Sequence, residues 1–352
     1  MPPTPLPLET QTLFAELSER LRVNETARTF ASLSGAFAKK RVRGGDYWYF
    51  KTSEGPGGQR EYFVGPDDRE TQAVMKAYAA GRGDAAAAEA GYERICAMLR
   101  HGGAQLTDAP SAKVIAGLAA AGVFRLGAVL VGTHAFIAIG NMLGVRWQSS
   151  LGTQDIDLAV ERVLEVVVPQ TGADLPKALD ALAMGFLPVP GLSPKQPETS
   201  FKVRGRTLRV DLLTPARGAR DGKPIFIPRF GAAAQPLELL DYLLESPVAI
   251  PLVDGGATLV NVPDPARFAL HKLLVADRRP VAERGKALKD RRQAAEIIEV
   301  LFEDRRGDLR LALDRFKRRP AGWKTRLRRA AEKLPDEPLA GAKALILKSL
   351  GR

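Results

Sequence analysis

The amino-acid sequence predicts an α+β protein: a small mixed sheet flanked by helices, preceded by a helical region with an aromatic β-hairpin and followed by a helical domain. Short apolar runs with strand character fall between residues 128 and 213, and a helix separates the first two of them. Helix start signals and amphipathic stripes dominate from Asp264 onward. A chain of 352 residues exceeds one typical domain, so we expect three units, at residues 1–105, 106–255 and 256–352.

A glycine turn and a pair of carboxylates lie close together in the central unit. An apolar strand ends at Gly132-Thr133 and is followed by a helix. A second strand then carries Asp155 and Asp157. Because side chains alternate along a strand, these two carboxylates point to the same face. Like charges repel unless a cation lies between them, and carboxylate oxygens without a His or Cys cluster suit Mg²⁺ or Mn²⁺. We therefore expect this pair to bind a divalent metal ion.

The glycine turn is suited to phosphate. Gly132 has no side chain to keep a ligand from the backbone, and a helix that begins at Thr133 or His134 offers unpaired N–H groups and the positive end of its dipole. Together with metal-binding carboxylates, this arrangement indicates a site for a nucleoside triphosphate and its Mg²⁺, contacted by Gly132 and Thr133. The alternative is a tight turn before a helix, followed by a strand with two exposed aspartates.

A third carboxylate, Asp211, lies in the apolar strand Arg206–Thr214, where aspartate is otherwise disfavoured. Alternation puts it on one face with Arg209, and the segment Ser200–Val203 can pair with this strand as a hairpin in the same sheet. Three carboxylates from neighbouring strands can hold two metal ions about 3.5–4 Å apart, the arrangement that clamps attacking and leaving oxygens in phosphoryl or nucleotidyl transfer. We expect all three aspartates to be metal ligands and catalytic residues.

The order of apolar strand, glycine and hydroxyl residue, helix, Asp-x-Asp and later strand aspartate resembles the DNA polymerase β type nucleotidyltransferase superfamily. Within that superfamily, the chain is similar to bacterial nucleotidyltransferase-like proteins, among them the toxins of toxin–antitoxin pairs. The similarity rests on the motif GTHAF, a long helix, Arg146, Ser149 or Ser150, and then QDIDLAV. The resemblance implies two Mg²⁺ ions and transfer of a nucleoside monophosphate from an NTP such as ATP, with release of pyrophosphate. It leaves open the acceptor (RNA, a protein or a small molecule) and whether an antitoxin partner exists.

Two C-terminal helices bring a lysine and an aspartate together. The first begins with Asp264 as its N-cap and carries Lys272, and the second, roughly Val281–Phe302, has Asp290 on its apolar stripe. An inward carboxylate is seldom left unpaired, so Lys272 is its expected partner. In the resembling toxins a helical lysine and a downstream Lys-Asp match Lys272 and Lys289-Asp290. This implies that Lys272 contacts the triphosphate and that Asp290 belongs to the same site. The alternative is an inter-helix salt bridge that only fixes packing.

The formal net charge is +12, and basic residues cluster at 39–43 and in the C-terminal third. Such a surface attracts polyanions, so RNA or DNA is an expected partner of the C-terminal helices.

After a predicted helix ending near Ala38, two aromatic-rich strands, Asp46–Thr52 and Arg60–Val64, form the hairpin. The hairpin is weakly similar to the small three-stranded DNA-binding sheets of phage-type integrases, and is a second expected nucleic-acid surface. The alternative for the basic C-terminal helices is a set of solvated helix faces, and the alternative for the hairpin is core packing without nucleic acid.

The sequence carries little information on the cellular compartment and no sign of a membrane-spanning segment. The single cysteine, Cys96, excludes an internal disulfide and suits a reducing compartment. The N-terminus has no basic segment followed by an apolar run, and no stretch approaches the roughly 18 apolar residues of a membrane span. We expect a cytoplasmic protein without a membrane segment. The three histidines are not clustered, so zinc is not indicated.

Two classes of function stay open at this stage. The first is a Mg²⁺-dependent enzyme that transfers a nucleotide. The second is a catalytically inactive nucleotide- or nucleic-acid-binding protein on the same fold. The presence of Asp155, Asp157 and Asp211 together favours the enzyme.

Overall fold

Helices and strands follow one another in three groups along the chain. The computed structural model describes residues 2–31, 35–42, 44–52, 60–80, 85–149, 152, 154–161, 173–190, 196–216 and 222–351. The first group is β1 (Thr4–Pro5), α1 (Leu8–Ala31), β2 (Gly35–Val42), β3 (Gly45–Thr52), β4 (Arg60–Pro66), α2 (Arg69–Ala80) and α3 (Ala85–His101). The second is α4 (Ala109–Ala120), β5 (Val129–Val131), α5 (Gly132–Met142), β6 (Val145–Arg146), β7 (Asp155–Ala159), α6 (Leu175–Asp180), β8 (Phe186–Pro188), β9 (Ser200–Val203), β10 (Arg209–Pro215), β11 (Ile225–Ile227), β12 (Ala232–Leu237), α7 (Leu240–Leu244) and β13 (Val248–Val253). The third is β14 (Ala257–Val262), α8 (Pro265–Arg278), α9 (Arg284–Asp304), α10 (Arg306–Phe316), α11 (Ala321–Glu332) and α12 (Ala340–Ser349).

The N-terminal region forms a three-stranded antiparallel sheet where the sequence predicts a two-stranded hairpin. β2 pairs with β3 along its whole length, and β3 pairs with β4. The prediction of a helix ending near Ala38 is wrong, because α1 ends earlier and residues 35–42 form β2. The ring of Phe37 packs against Phe50 and Tyr78, with 5.1 and 5.2 Å between ring centroids. Tertiary contacts therefore decide the conformation of a segment whose own pattern is ambiguous.

The central sheet is mixed, as predicted. Its strands run in the order β11-β12-β10-β7-β5, and β9 and then β8 extend it beside β10. β7 and β10 are parallel, whereas β5 is antiparallel to β7 and β9 is antiparallel to β10. The predicted pairing of Ser200–Val203 with the following strand is confirmed. β7 thus lies between β10 and β5, the strand that leads directly into α5.

One hydrophobic core joins the central sheet to the C-terminal helices. Ile156 and Leu158 of β7 are fully buried in it, together with Phe136 of α5 and Phe268 of α8. Because side chains alternate along a strand, the burial of these two β7 residues turns the aspartates of the same strand to the opposite face. The α+β fold class predicted from the sequence is confirmed.

The C-terminal helices begin close to the predicted positions. The Asp264 side chain caps α8 by accepting a hydrogen bond from the Arg267 backbone N–H at 3.0 Å. The second predicted helix appears as a short 3-10 turn, Val281–Glu283, followed by α9. β13 and β14 pair across the expected boundary at residue 255. None of the helices in the described part of the chain is both long and apolar enough to cross a membrane.

Trp147 fixes the chain just before the strand that carries Asp155. Its ring stacks on Phe136 with 4.7 Å between ring centroids, and its Nε1 donates a hydrogen bond to the Phe136 carbonyl oxygen at 2.6 Å. Gly140, one turn further along α5, faces the indole. A Cβ at this position would lie 2.4 Å from Nε1, so the missing side chain lets the indole lie against α5.

We expect Gly140→Ala to lower the free energy of unfolding by about 1–3 kcal/mol, because the added methyl group overpacks a space that the indole fills. Gly285→Ala is the matched control, since Gly285 lies in α9 with nothing within 4 Å of an added Cβ. Alanine in place of a helical glycine stabilises by up to about 1 kcal/mol. Urea denaturation compares the two variants, and equal stabilities would contradict the role given to Gly140.

Candidate active site

Three aspartates lie on neighbouring strands of the central sheet. In the parallel pairing of β7 with β10, Asp157 is opposite Asp211, and Asp155 is opposite Arg209. Asp155 is exposed, and the other two aspartates are half-buried. Paired residues in a sheet project from the same face, and residues two apart on one strand do so too. The three carboxylates therefore share one face, with Asp157 in the middle.

The charges of these aspartates act on one another. Burial first, and then the neighbouring Asp211 and Asp155 carboxylates, raise the pKa of the Asp157 carboxyl to about 6. Lys272 and Arg209 act in the opposite direction. A carboxyl group with a raised pKa beside two others is a place where a cation is strongly stabilised.

Asp211 is held by two residues, Ser200 and Arg209, that are not among the site residues predicted from the sequence. The Ser200 hydroxyl donates to Asp211 Oδ1, and Arg209 Nε donates to the same oxygen at 2.7 Å. Arg209 Nη2 also donates to Ser200 Oγ at 2.8 Å. The signals for both were present in the sequence: Arg209 shares the face of Asp211 by alternation, and Ser200 is its cross-strand partner in the predicted hairpin.

The glycine turn lies directly against Asp157. Val131, the last residue of β5, is opposite Asp157 in the antiparallel pairing, and α5 then begins at Gly132. Gly132 has φ of 69°, and a Cβ there would lie 2.3 Å from Asp157 Oδ2. Glycine is required at this position for both reasons, since other residues rarely adopt this conformation and would displace the carboxylate. The first turn of α5 and the Asp157 carboxylate therefore meet at one point.

Two lysines from the C-terminal helices approach the same region. Lys289 of α9 donates from Nζ to Thr133 Oγ1 at 3.2 Å. Burial lowers the pKa of Lys289, as does the charge of Lys272, while Asp155 and Asp157 act in the opposite direction. The sequence indicates Lys289 only through the Lys289-Asp290 match of the family resemblance, because its contact with Thr133 depends on how α9 packs against α5.

Lys272 and Asp290 form the inter-helix ion pair that the sequence predicts. Lys272 Nζ donates to Asp290 Oδ1 at 2.8 Å, and Arg279 Nε donates to Asp290 Oδ2 at 2.7 Å. Burial disfavours the ionised form of Asp290, but these two cations keep the pKa of its carboxyl below the usual value. Both oxygens of Asp290 accept from cations, so Asp290 positions Lys272, whose charge also reaches Asp157.

The segment before Asp155 is held by α9 as well. Glu296 accepts hydrogen bonds from the Gln148 backbone N–H at 3.1 Å and from the Ser149 hydroxyl. Of the two serines in the family resemblance, Ser149 thus contacts α9, and Ser150 lies outside the described residues. Arg146 is exposed on β6, which pairs with β1.

His134, at the start of α5, is almost completely buried. Neither of its ring nitrogens has a hydrogen-bond partner within the described parts of the chain. Burial lowers its pKa to about 4, so the ring is neutral at neutral pH.

The donor set fits Mg²⁺ chemically but is not arranged as a closed cage. Within the residues that the structure describes, no group of three His, Cys, Asp or Glu side chains is placed to hold a metal ion. Asp211 is drawn toward Arg209 and Ser200, so it reaches a shared ion only by exchanging the Arg209 partner. Mg²⁺ commonly binds through one or two carboxylates plus substrate phosphates and water, and Asp155 and Asp157 beside the glycine turn meet that need.

Carboxylates beside a glycine turn and two lysines place oxygen ligands and phosphate donors next to one another. The sequence pattern of a family described as Nucleotidyltransferase matches residues 109–317, more than half of the chain. The chain belongs to this nucleotidyltransferase family, and the expectation of a nucleotidyltransferase enzyme is confirmed at that level. The matched region includes every site residue named above.

Comparison with solved structures finds similarity to an antigenic nucleotidyltransferase-like protein from Paracoccidioides brasiliensis. The two chains are 13% identical with a TM-score of 0.32, and the similarity covers 63% of this chain and 94% of the other. No curated protein matches the chain.

The raised pKa of Asp157 predicts that the stability of the metal-free protein depends on pH. The folded protein keeps the Asp157 proton up to about pH 6, whereas an unperturbed carboxyl releases it near 3.8. Stability therefore falls as the pH rises from the lower value to the higher one. Asp157→Asn removes this effect, so its Tm should exceed that of the parent above about pH 6, and the gain should shrink toward pH 4.

Thermal melting in EDTA at several pH values measures this difference. Asp180→Asn, at an exposed position at the end of α6, is the control and should give no such pH-dependent gain. A gain for Asp157→Asn that is equal at low and high pH would show that repulsion and burial at this carboxylate do not control stability.

Proposed function

We propose that the protein transfers a nucleoside monophosphate from an NTP to an acceptor hydroxyl, with Mg²⁺ as cofactor and pyrophosphate as the second product. The observation that supports this most is the meeting of Asp157, Gly132 and Lys289 at the first turn of α5. A carboxylate for the metal, a helix N-terminus for phosphate and a cation for phosphate charge are then side by side.

Each part of the site has a distinct task in this proposal. The backbone N–H groups at Gly132 and Thr133 bind the triphosphate, and Lys289 moves from Thr133 Oγ1 to a phosphate oxygen. Lys272, fixed by Asp290, adds positive charge beside Asp157. Two Mg²⁺ ions, when bound, would offset phosphate charge and make the acceptor hydroxyl easier to deprotonate.

Asp155, Asp157 and Asp211 are the proposed metal ligands and catalytic residues. The acceptor oxygen forms a bond to the α-phosphorus, the bond from that phosphorus to the bridging oxygen breaks, and pyrophosphate leaves. The acceptor hydroxyl proton passes to solvent or to a carboxylate of this group. Arg209 would give up Asp211 where a metal ion is held, and would then remain as a further cation near the phosphates.

The wider relation that we propose is to the DNA polymerase β type superfamily. It is supported by the order of β5, the glycine turn, α5, Asp-x-Asp on β7 and Asp211 on the parallel β10. The relation to toxin-type enzymes, and with it an antitoxin partner, rests on the sequence form alone. ATP is the nucleotide to test first, and a cytoplasmic location stays a prediction from cysteine usage.

The second candidate function is nucleotide binding without turnover. The hydrogen bonds of Asp211 with Arg209 and Ser200 favour it, because Asp211 Oδ1 already accepts from two donors that a metal ion would have to replace. Incubation with each α-labelled NTP, Mg²⁺ and total cellular RNA or protein separates the candidates. Label transferred to an acceptor supports the enzyme, and NTP binding without any transfer supports the binding protein.

We expect Asp157→Asn, and equally Asp155→Asn, to abolish nucleotide transfer without unfolding the protein. The amide keeps the shape of the side chain but loses the charge that offsets Mg²⁺, so the loss falls on turnover and not on stability. Pyrophosphate release with acceptor present, alongside thermal melting, gives both readouts. Full activity in either variant would refute the catalytic role of that aspartate.

Lys289→Gln should weaken Mg²⁺·ATP binding about tenfold, because a charge-assisted contact with phosphate is replaced by a neutral one. Lys286→Gln is the matched control on the same helix, where the lysine side chain is 70% exposed. Isothermal titration of both variants measures the two affinities. An equal loss of affinity in both variants, or no loss in either, would show that Lys289 does not contact the nucleotide.

A further inference from the structure

The corner between α10 and α11 carries a basic run without acidic residues. From residue 315 to 329 the chain has eight Lys and Arg residues and no Asp or Glu: Arg315, Lys317, Arg318, Arg319, Lys324, Arg326, Arg328 and Arg329. Acidic residues are interleaved with basic ones along α9, so a solvated amphipathic helix does not require such a run. The local excess of positive charge indicates an anionic partner.

Two open cavities adjoin at this corner. The first, of about 450 Å³, is lined by Arg315, Arg318, Arg319, Pro320 and Glu245. The second, of about 220 Å³, is lined by Pro320, Gly322, Trp323, Arg326 and Glu238. Pro320 lines both, so the cavities are neighbours, and we call the two together the arginine groove.

The arginines of the groove differ in how they are paired. Arg319 bonds to Asp241 and, at 2.8 Å, to Glu245. Arg315 and Arg318 are exposed, and no carboxylate in the described part of the chain pairs with either. Two guanidinium groups without partners beside a cavity are available for bidentate hydrogen bonds with phosphate.

Trp323 gives the groove an aromatic wall. It is half-buried and packs partly against the core, and the guanidinium carbons of Arg326 and Arg278 lie 4.8 and 5.5 Å from its ring centroid, so a base would stack there by taking the place of one of them. An indole beside arginine offers a stacking surface that accepts any base, worth roughly 1–3 kcal/mol per base. The groove thus combines phosphate binding with base stacking.

The two carboxylates in the groove bear on which nucleic acid it fits. Glu245 and Glu238 line the two cavities and already accept hydrogen bonds from Arg319 and Arg278, respectively. A carboxylate repels phosphate, but it accepts a hydrogen bond from a ribose 2′-hydroxyl, which DNA lacks. This favours RNA over DNA.

We propose that the arginine groove binds single-stranded RNA, with Arg315 and Arg318 on the phosphates and Trp323 stacking on a base. This binding needs neither NTP nor Mg²⁺, so it is separate from the transfer reaction proposed above. It also assigns the expected nucleic-acid surface to one place on the C-terminal helices.

The test uses the full chain and a fluorescein-labelled single-stranded RNA of about 12 nucleotides, without NTP. Fluorescence anisotropy gives Kd between about 50 and 200 mM salt. We expect Arg315→Ala/Arg318→Ala to raise Kd about tenfold or more and to reduce the slope of log Kd against log salt by about 1.4, the value for two phosphate contacts on a single strand. Trp323→Leu should raise Kd about fivefold or more with little change in that slope.

Arg305→Ala/Arg310→Ala is the matched control, since it removes the same charge from α10 and its N-cap at positions that line neither cavity. A loss confined to the groove variants supports the proposal. Equal losses in both double variants would mean that net charge alone attracts RNA, and would overturn it. It is also overturned if the parent does not bind RNA, or if single-stranded DNA of the same sequence binds as tightly.

Discussion

Three carboxylates are confined to one face of the central sheet, and the need to balance their charge governs the structure around them. Asp157 lies between Asp155 on its own strand and Asp211 on the next, with the Gly132 backbone directly against it. Burial and both neighbours disfavour its ionised form. Positive charge therefore has to come from elsewhere in the fold, and Lys272 and Arg209 supply part of it.

The helix α9 connects this charge balance to the rest of the molecule. Lys289 contacts Thr133 at the glycine turn, Asp290 holds Lys272, and Glu296 holds Ser149 before the strand of the aspartates. Lys289 and Glu296 are seven residues apart and so lie on the same side of α9, and Asp290 follows Lys289 directly. A shift of this helix would move the lysines and the segment before Asp155 together, so α9 couples the cations to the carboxylates.

Local sequence patterns are sufficient to predict the position of a residue where that position depends only on the alternation of side chains along a strand and on the pairing of strands. Alternation places Asp155 and Asp157 on one face, and the hairpin pairing sets Asp211 opposite Ser200. The contacts of Lys289 and Glu296 could not be predicted from the sequence, because they depend on how α9 packs against distant segments. β2 was missed for the same reason: Phe37 takes its conformation from partners on β3 and α2. The roles of the aspartates in catalysis stay predictions.

The central claim is that metal and triphosphate meet at the first turn of α5. A crystal structure of the chain with a non-hydrolysable ATP analogue and Mg²⁺ tests it most directly. The account predicts Mg²⁺ about 2.0–2.1 Å from carboxylate oxygens of Asp155 and Asp157, with the triphosphate against Gly132 and within hydrogen-bond reach of Lys289. A triphosphate bound away from α5, or an ion held by other carboxylates, would contradict it.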